Sequence, residues 1–247
     1  MTRHKHDFQA VLQHIAAGDN DCQIARLTSV PRSTVRDWRA GRYRTSSRKG
    51  FHNEVCGHDF EGLPAREYSY LLRMYLGDGY IAKHRRVYRL RISCDDHYPD
   101  IIQECRLAMN ALMPGQSAYI LERKPSHGVE VSMFSKHWPC LFPQHGPGRK
   151  HERLIRLEPW QRRIVERETR SFLRGLLHSD GCRVVANDRG VRSVRYHFSN
   201  RSEDIKELFC EALDQLGIPW TRPSHRDIAI YRKAAVARLD RFVGPKT

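Results

Sequence analysis

No apolar run in the 247 residues approaches the ~20 needed to cross a membrane as a helix, and nothing at the N-terminus reads as a signal peptide. A membrane partner is not expected. Paired cysteine motifs are lacking too. The seven cysteines, Cys22, Cys56, Cys94, Cys105, Cys140, Cys182 and Cys210, are odd in number and scattered, which fits a reducing, intracellular setting. The tightest metal-like spacing, His52, Cys56 and His58, is followed by no second CxxC or HxxxH and does not complete a zinc-finger ligand set. Acid is the scarce charge: twenty-eight Asp and Glu face forty-three Lys and Arg, a formal net charge of +15. An excess of that size repels itself unless a polyanion compensates it, so nucleic acid is the expected partner.

Near the N-terminus, Phe8, Val11, Leu12 and Ile15 recur at helical spacing, which predicts a helix over residues 5–17 ended by Gly18. Asp19, Asn20 and Asp21 offer N-caps for a second short helix carrying Ile24, Ala25 and Leu27. Pro31 suits the first turn of a third, which runs through Val35 and Trp38 to Gly41. Three short helices with a tight second connection are the helix-turn-helix layout, in which the last helix enters the major groove. With Val35 and Trp38 turned inward, Arg32, Ser33, Thr34, Arg36 and Arg39 are left for bases and phosphates. The segment QIARLTSVPRSTVRDW resembles the helix-turn-helix of recombinase and transposase-like regulators. Residues 42–51 are polar, basic and aperiodic, and read as linker.

The rest of the chain repeats itself. Residues 71–79, LLRMYLGDG, and 173–181, LRGLLHSDG, are each an apolar helical stretch ending in a small residue, Asp and Gly. After Asp78 comes a strand in which Tyr88, Leu90 and Ile92 alternate with Arg89, Arg91 and Ser93; after Asp180, Val194, Tyr196 and Phe198 alternate with Arg195, His197 and Ser199. A helix follows in each copy, over 100–112 and 204–216, then strand-like VEVSMF at 129–134 and DIAIY at 227–231. The predicted fold is α+β: a three-helix N-terminal domain over 1–44, a basic linker over 45–66, and two αββαββα repeats over 67–138 and 167–247, joined by a connector over 139–166.

Two aspartates at helix C-termini face the negative ends of the helix dipoles and, brought together, repel one another. A divalent cation would relieve both penalties, and Mg²⁺ commonly takes one or two protein carboxylates while keeping positions for water and phosphate oxygens. Close packing of the two helices needs small residues on the shared face, and Gly77, Gly175 and Ser179 supply them. Arg73, four residues before Gly77, is not small, so the helices should splay or Arg73 should snorkel to an edge. In the connector, Arg149 and Lys150 follow a Gly-Pro-Gly bend and read as phosphate contacts.

The two nonapeptides resemble the paired motifs of single-chain LAGLIDADG homing endonucleases. The resemblance runs from about Tyr68 to the end of the chain. It implies a pseudo-twofold saddle of two sheets over double-stranded DNA, with Asp78 and Asp180 as metal-binding catalytic acids, Mg²⁺ or another divalent cation as cofactor, and a monomer as the working form. It also implies catalytic lysines at strand ends, which match Lys136 and Lys233.

Two functions are consistent with these residues. One is a site-specific DNA endonuclease of homing type; the other is a non-cleaving transcriptional regulator on the same scaffold, since some sporulation regulators that resemble the family pair it with a helix-turn-helix. An intein is not expected, because Met1 is not a splicing Cys or Ser and the tail GPKT lacks His-Asn. Either function predicts a steep salt dependence. A plot of log affinity against log salt for duplex DNA should fall by about 0.9 per phosphate contacted, and a flat titration would exclude the charge as the basis of binding.

Overall fold

The structure is a computed structural model that describes residues 5–41, 59–125, 127–188, 190–244 and 246. The expected linker at 42–51 and the group His52, Cys56 and His58 lie outside the described residues. The chain divides into two compact units, Met1–Gly57 and His58–Thr247.

In the first unit α1 (Lys5–Ala16), α2 (Asp21–Thr28) and α3 (Arg32–Arg39) follow the expected order. Of the three candidate caps, Asn20 is the one used. Its Oδ1 accepts from the amides of Cys22 and Gln23, both at 3.0 Å, while Gln23 Oε1 accepts from the Asn20 amide at 3.0 Å, closing a capping box. The turn into α3 passes through Ser29 in the left-handed region at φ 54°. Val11, Ile24, Val30, Val35 and Trp38 form the core, with Phe8 set edge-on to Trp38 at 5.1 Å.

The second unit opens with α4 (Ala65–Asp78), β1 (Gly79–Lys83), β2 (Tyr88–Asp95), α5 (Pro99–Leu112), β3 (Tyr119–Arg123), β4 (Gly128–Ser135) and α6 (Trp138–Leu141). After a 3-10 turn at Lys150–Glu152 it continues with α7 (Pro159–Arg167), α8 (Thr169–Ser179), β5 (Gly181–Asp188), β6 (Val191–Ser199), α9 (Glu203–Gln215), β7 (Asp227–Ile230) and α10 (Lys233–Asp240). The strands form two antiparallel sheets, β1-β2-β4-β3 and β5-β6-β7. Their registers correspond: Gly79 pairs with Ile92 and Gly181 with Phe198. Alternation places Leu90, Ile92, Val131, Tyr196, Phe198 and Ile228 in one continuous core under the helices.

Two features of this unit differ from the sequence expectation. The second copy lacks a full counterpart of β3; its equivalent is one bridge between Thr221 and Ala229. Pro219 and Pro223 flank that position and cannot donate to a ladder, which explains the truncation. The connector, meanwhile, contains α7, whose Gln161 is fully buried and bonds Gln144 and the Tyr68 hydroxyl, anchoring it to α4. Its Pro159 start and capping box with Glu158 were present in the sequence but lay outside the repeat.

Helices α4 and α8 pack in parallel with their C-termini together. A Cβ on Gly175 would stand 2.7 Å from the Tyr70 carbonyl oxygen and 2.9 Å from Arg73 Cβ; one on Gly77 would stand 2.5 Å from Ser179 Cβ. Neither glycine accepts even a methyl group without moving backbone. The helices do not splay, and Arg73 does not snorkel. It is fully buried, its guanidinium lies 3.6 Å from the centroid of the Phe172 ring, and none of its three side-chain nitrogens has a hydrogen-bond partner among the described residues. The guanidinium is met by the Phe172 face rather than by a carboxylate. Burial pushes the guanidinium well below its ordinary value, opposed by the charges of Asp180 and Glu211.

A cation buried without a counter-ion destabilises its surroundings more than an apolar side chain of the same length. Arg73→Met is therefore expected to raise unfolding stability by about 1–4 kcal/mol in denaturant titrations at neutral pH. A lower midpoint in the variant would show that the stack on Phe172 outweighs the lost hydration.

Candidate nucleic-acid interface and acidic centre

Asp78 is the last residue of α4, and Asp180 caps α8 with its amide bonded to the Leu176 carbonyl. Because the helices cross at Gly77 and Ser179, the two acidic ends meet: a Cβ on Gly77 would lie 3.0 Å from Asp180 Oδ2. Asp180 also accepts from Asn200 Nδ2 at 2.9 Å. The register of the first sheet puts Cys94 at the place corresponding to Asn200, so the centre is not symmetric. Burial, with the charge of Asp78 added, pushes the Asp180 carboxyl up to about 6. Asp78 is more open, and partial burial raises its carboxyl against the opposing pull of Lys150 and Lys246.

Those two lysines are the cations at the acidic centre. Lys150 does not lie open as a phosphate contact in the connector: its ammonium donates to the Gly77 carbonyl at 2.8 Å and to that of Tyr75, sealing the end of α4. Burial brings it down to about 8, with Asp78 and Asp180 resisting. Lys246, beyond α10, donates to the Ser179 carbonyl at the end of α8 at 3.4 Å. Each lysine follows the last helix of its repeat, α6 or α10, and that shared position was the signal available in the sequence. Lys136 and Lys233 are exposed and line neither cavity beside the acids. Lys136 and Lys233 thus stand away from the acids while Lys150 and Lys246 stand beside them, because the chain turns back toward the helix ends only beyond α6 and α10.

A cleft of about 580 Å³ opens beside Asp180, lined by Tyr80, His145, Arg149, Lys150, Asn200 and Arg201. A second of about 450 Å³ opens beside Asp78, lined by Ser93, Asp95, Tyr98, His127 and Lys246. The donor set at the centre is two carboxylates, hard oxygen ligands that suit a hard divalent cation rather than a soft one.

The basic strand faces are where the alternation put them. Arg89 and Arg91 lie on the side of the first sheet opposite Leu90, Ile92 and the core, with Arg91 over Tyr80 at 5.1 Å and Arg89 over Phe134 at 5.5 Å. Arg195 stacks on Tyr231 at 5.1 Å and His197 sits edge-on to the same ring. Arg149 is exposed. On α3, Arg32, Ser33 and Arg36 are exposed and Thr34 is half-buried, whereas Arg39 is engaged: its Nε donates to Asp21 Oδ1 at 2.8 Å and its Nη2 to the Asp19 carbonyl at 2.6 Å. Arg39 therefore ties α3 to the start of α2, a tertiary contact its spacing did not reveal.

This chain path is similar to that of LAGLIDADG proteins. No protein-family model matches the sequence, and no curated protein does. Among solved structures, the homing endonuclease I-DmoI in complex with DNA and Mn is 18% identical with a TM-score of 0.47, over 74% of this chain and 99% of that one. The N-terminal LAGLIDADG domain of DUF199/WhiA is 15% identical with a TM-score of 0.47, over 75% and 88%. The LAGLIDADG meganuclease I-AabMI bound to uncleaved DNA is 9% identical with a TM-score of 0.44, over 71% and 82%. Likeness at this level says nothing about this chain's chemistry, which rests on its own residues.

The raised carboxyl of Asp180 has a signed consequence. Its folded value of about 6 exceeds the ordinary 3.8, so the ionised form opposes folding fully above pH 6 and not at all below about 4. In chelator, Asp180→Asn is expected to stabilise the protein at pH 7 by at most about 3 kcal/mol, less with solvent screening, and the gain should vanish toward pH 4. Denaturation midpoints at pH 4, 5.5 and 7 test this; a gain independent of pH would show that the acid is not under electrostatic stress.

Proposed function

We propose that this chain binds double-stranded DNA site-specifically and cuts it, with Asp78 and Asp180 as the acids that hold a divalent cation. The observation that carries the reading is the convergence of two helix-end carboxylates in a basic protein. The two acids raise the folding cost of their own ends, and that cost has a use only if a cation is to be held there.

In this reading the open faces of the two sheets lie along the duplex. Arg89, Arg91, Arg195 and His197 supply base-edge and phosphate contacts, and Arg149 a phosphate contact at the cleft mouth. Arg32, Ser33, Thr34 and Arg36 form a second DNA contact on the N-terminal unit. Mg²⁺, when bound by Asp78 and Asp180, supplies Lewis acidity toward a phosphate oxygen and lowers the pKa of a water. Lys150 and Lys246 keep the helix-end carbonyls neutralised and place positive charge where a scissile phosphate would enter. The working form is a monomer, since both acids come from one chain.

A second reading, a regulator that binds without cutting, is favoured by one feature: Lys150 already neutralises the end of α4 on which a metal would draw. Incubation with a random-fragment duplex library separates the two. In Mg²⁺ the protein should yield defined double-strand ends, and Asp78→Ala or Asp180→Ala should reduce their formation at least ~100-fold while leaving duplex affinity within a few fold. Specific binding with no ends formed in Mg²⁺ or Mn²⁺ would decide for the regulator.

A further inference from the structure

The open face of the first sheet carries a carboxylate where a DNA-facing surface should avoid one. Glu130 sits on β4 opposite Ser93 of β2 and Leu121 of β3, on the same side as Arg89 and Arg91. It is nonetheless only 1% exposed, because three arginines close over it. Arg89 Nη2 meets Oε1, Arg123 Nη2 donates to Oε2, and Arg91 Nη1 stands 3.7 Å from Oε2. Arg89 also donates to Ser132 Oγ at 2.9 Å. On the second sheet the corresponding carboxylate, Asp227, paired with Ser199 as Glu130 is with Ser93, is held by the hydroxyls of Ser199 and Ser224.

A buried carboxylate is tolerated only when charges pair with it, and here the pairing works in both directions. Three like charges would otherwise repel one another and wave freely on long side chains. Glu130 holds them together, and the aromatic rings of Phe134 and Tyr80 flatten two of the guanidiniums from the side. Each arginine still exposes part of its side chain, 24% for Arg89, 33% for Arg91 and 52% for Arg123. Arg89 and Arg123 meet Glu130 through one Nη each, and the fork of two parallel donors on a guanidinium matches the O6 and N7 acceptors of guanine in the major groove. The cluster remains cationic, so it attracts the duplex while fixing where its donors point.

We propose that Glu130 is a positioning residue for sequence readout: it orients Arg89, Arg91 and Arg123 so that bases under the first sheet are read as guanines, while the second sheet reads its half less stringently. This rests on the DNA-binding reading above and deepens it. Glu130 touches no base itself, so its removal should alter discrimination and not attraction.

The test uses the full chain. Selection from a random duplex pool should return guanine at neighbouring positions of one half-site with the wild type. Glu130→Gln removes the charge and keeps the shape. It should bind non-specific duplex as tightly as the wild type or more so, yet lose about tenfold or more in the ratio of specific to non-specific affinity. If that variant does not fold, Arg91→Lys and Arg123→Lys keep the charge, lose the fork and should show the same loss of ratio. An unchanged ratio, a uniform loss of affinity for every duplex, or a wild-type target without guanine in that half-site would each overturn the role of Glu130 and leave DNA binding standing. A wild type that binds no duplex would overturn both.

Discussion

The close approach of α4 and α8 at Gly175, Gly77 and Ser179 is the constraint on which the second unit depends. Two helices can come this near only where side chains are absent or small, and the contact sets both their parallel alignment and their register. From that register follow the meeting of Asp78 with Asp180, the junction of the two sheets in one core, and the placing of a cleft on either side of the acids. A methyl group at Gly175 or Gly77 would separate the helix ends and disperse all three. Arg73 occupies the same interface at a cost the stack on Phe172 only partly offsets.

Charge is managed on two levels around that contact. At the centre, Lys150 and Lys246 each meet the carbonyl end of one helix and set positive charge beside the two carboxylates. On the open sheet face the arrangement is inverted, and one carboxylate organises three arginines. The centre thus sets two lysines against two carboxylates, and the sheet sets three arginines against one buried carboxylate. Fold stability and readiness for a polyanion are thereby coupled, since the groups that strain the free protein are those a cation or duplex would satisfy.

How much was legible in the chain depends on the range of the interaction. Asn20 with Gln23, Pro159 with Glu158 and the alternation around Leu90 and Phe198 are local patterns, and each produced the expected element or was available to be read. Lys136 and Lys233 sit at strand ends, whereas the chain returns to the helix ends beyond the following helices, so strand-end position does not reveal which lysines stand beside the acids. Arg39 looked outward by helical phase and is held by Asp21, a partner from another helix. The absent third strand of the second copy was marked by Pro219 and Pro223, yet copy symmetry suggested otherwise.

The sequence by itself determined the α+β class, the two copies, the acids at their helix ends and the small residues that let those ends meet, because period, composition and spacing act through neighbours along the chain. Only the tertiary structure decided which lysines face the acids, that Arg73 lies buried on an aromatic ring, and that Glu130 gathers three arginines. Those outcomes depend on which side chains from distant segments share a small volume, where burial and charge pairing are settled together and no single segment carries the information.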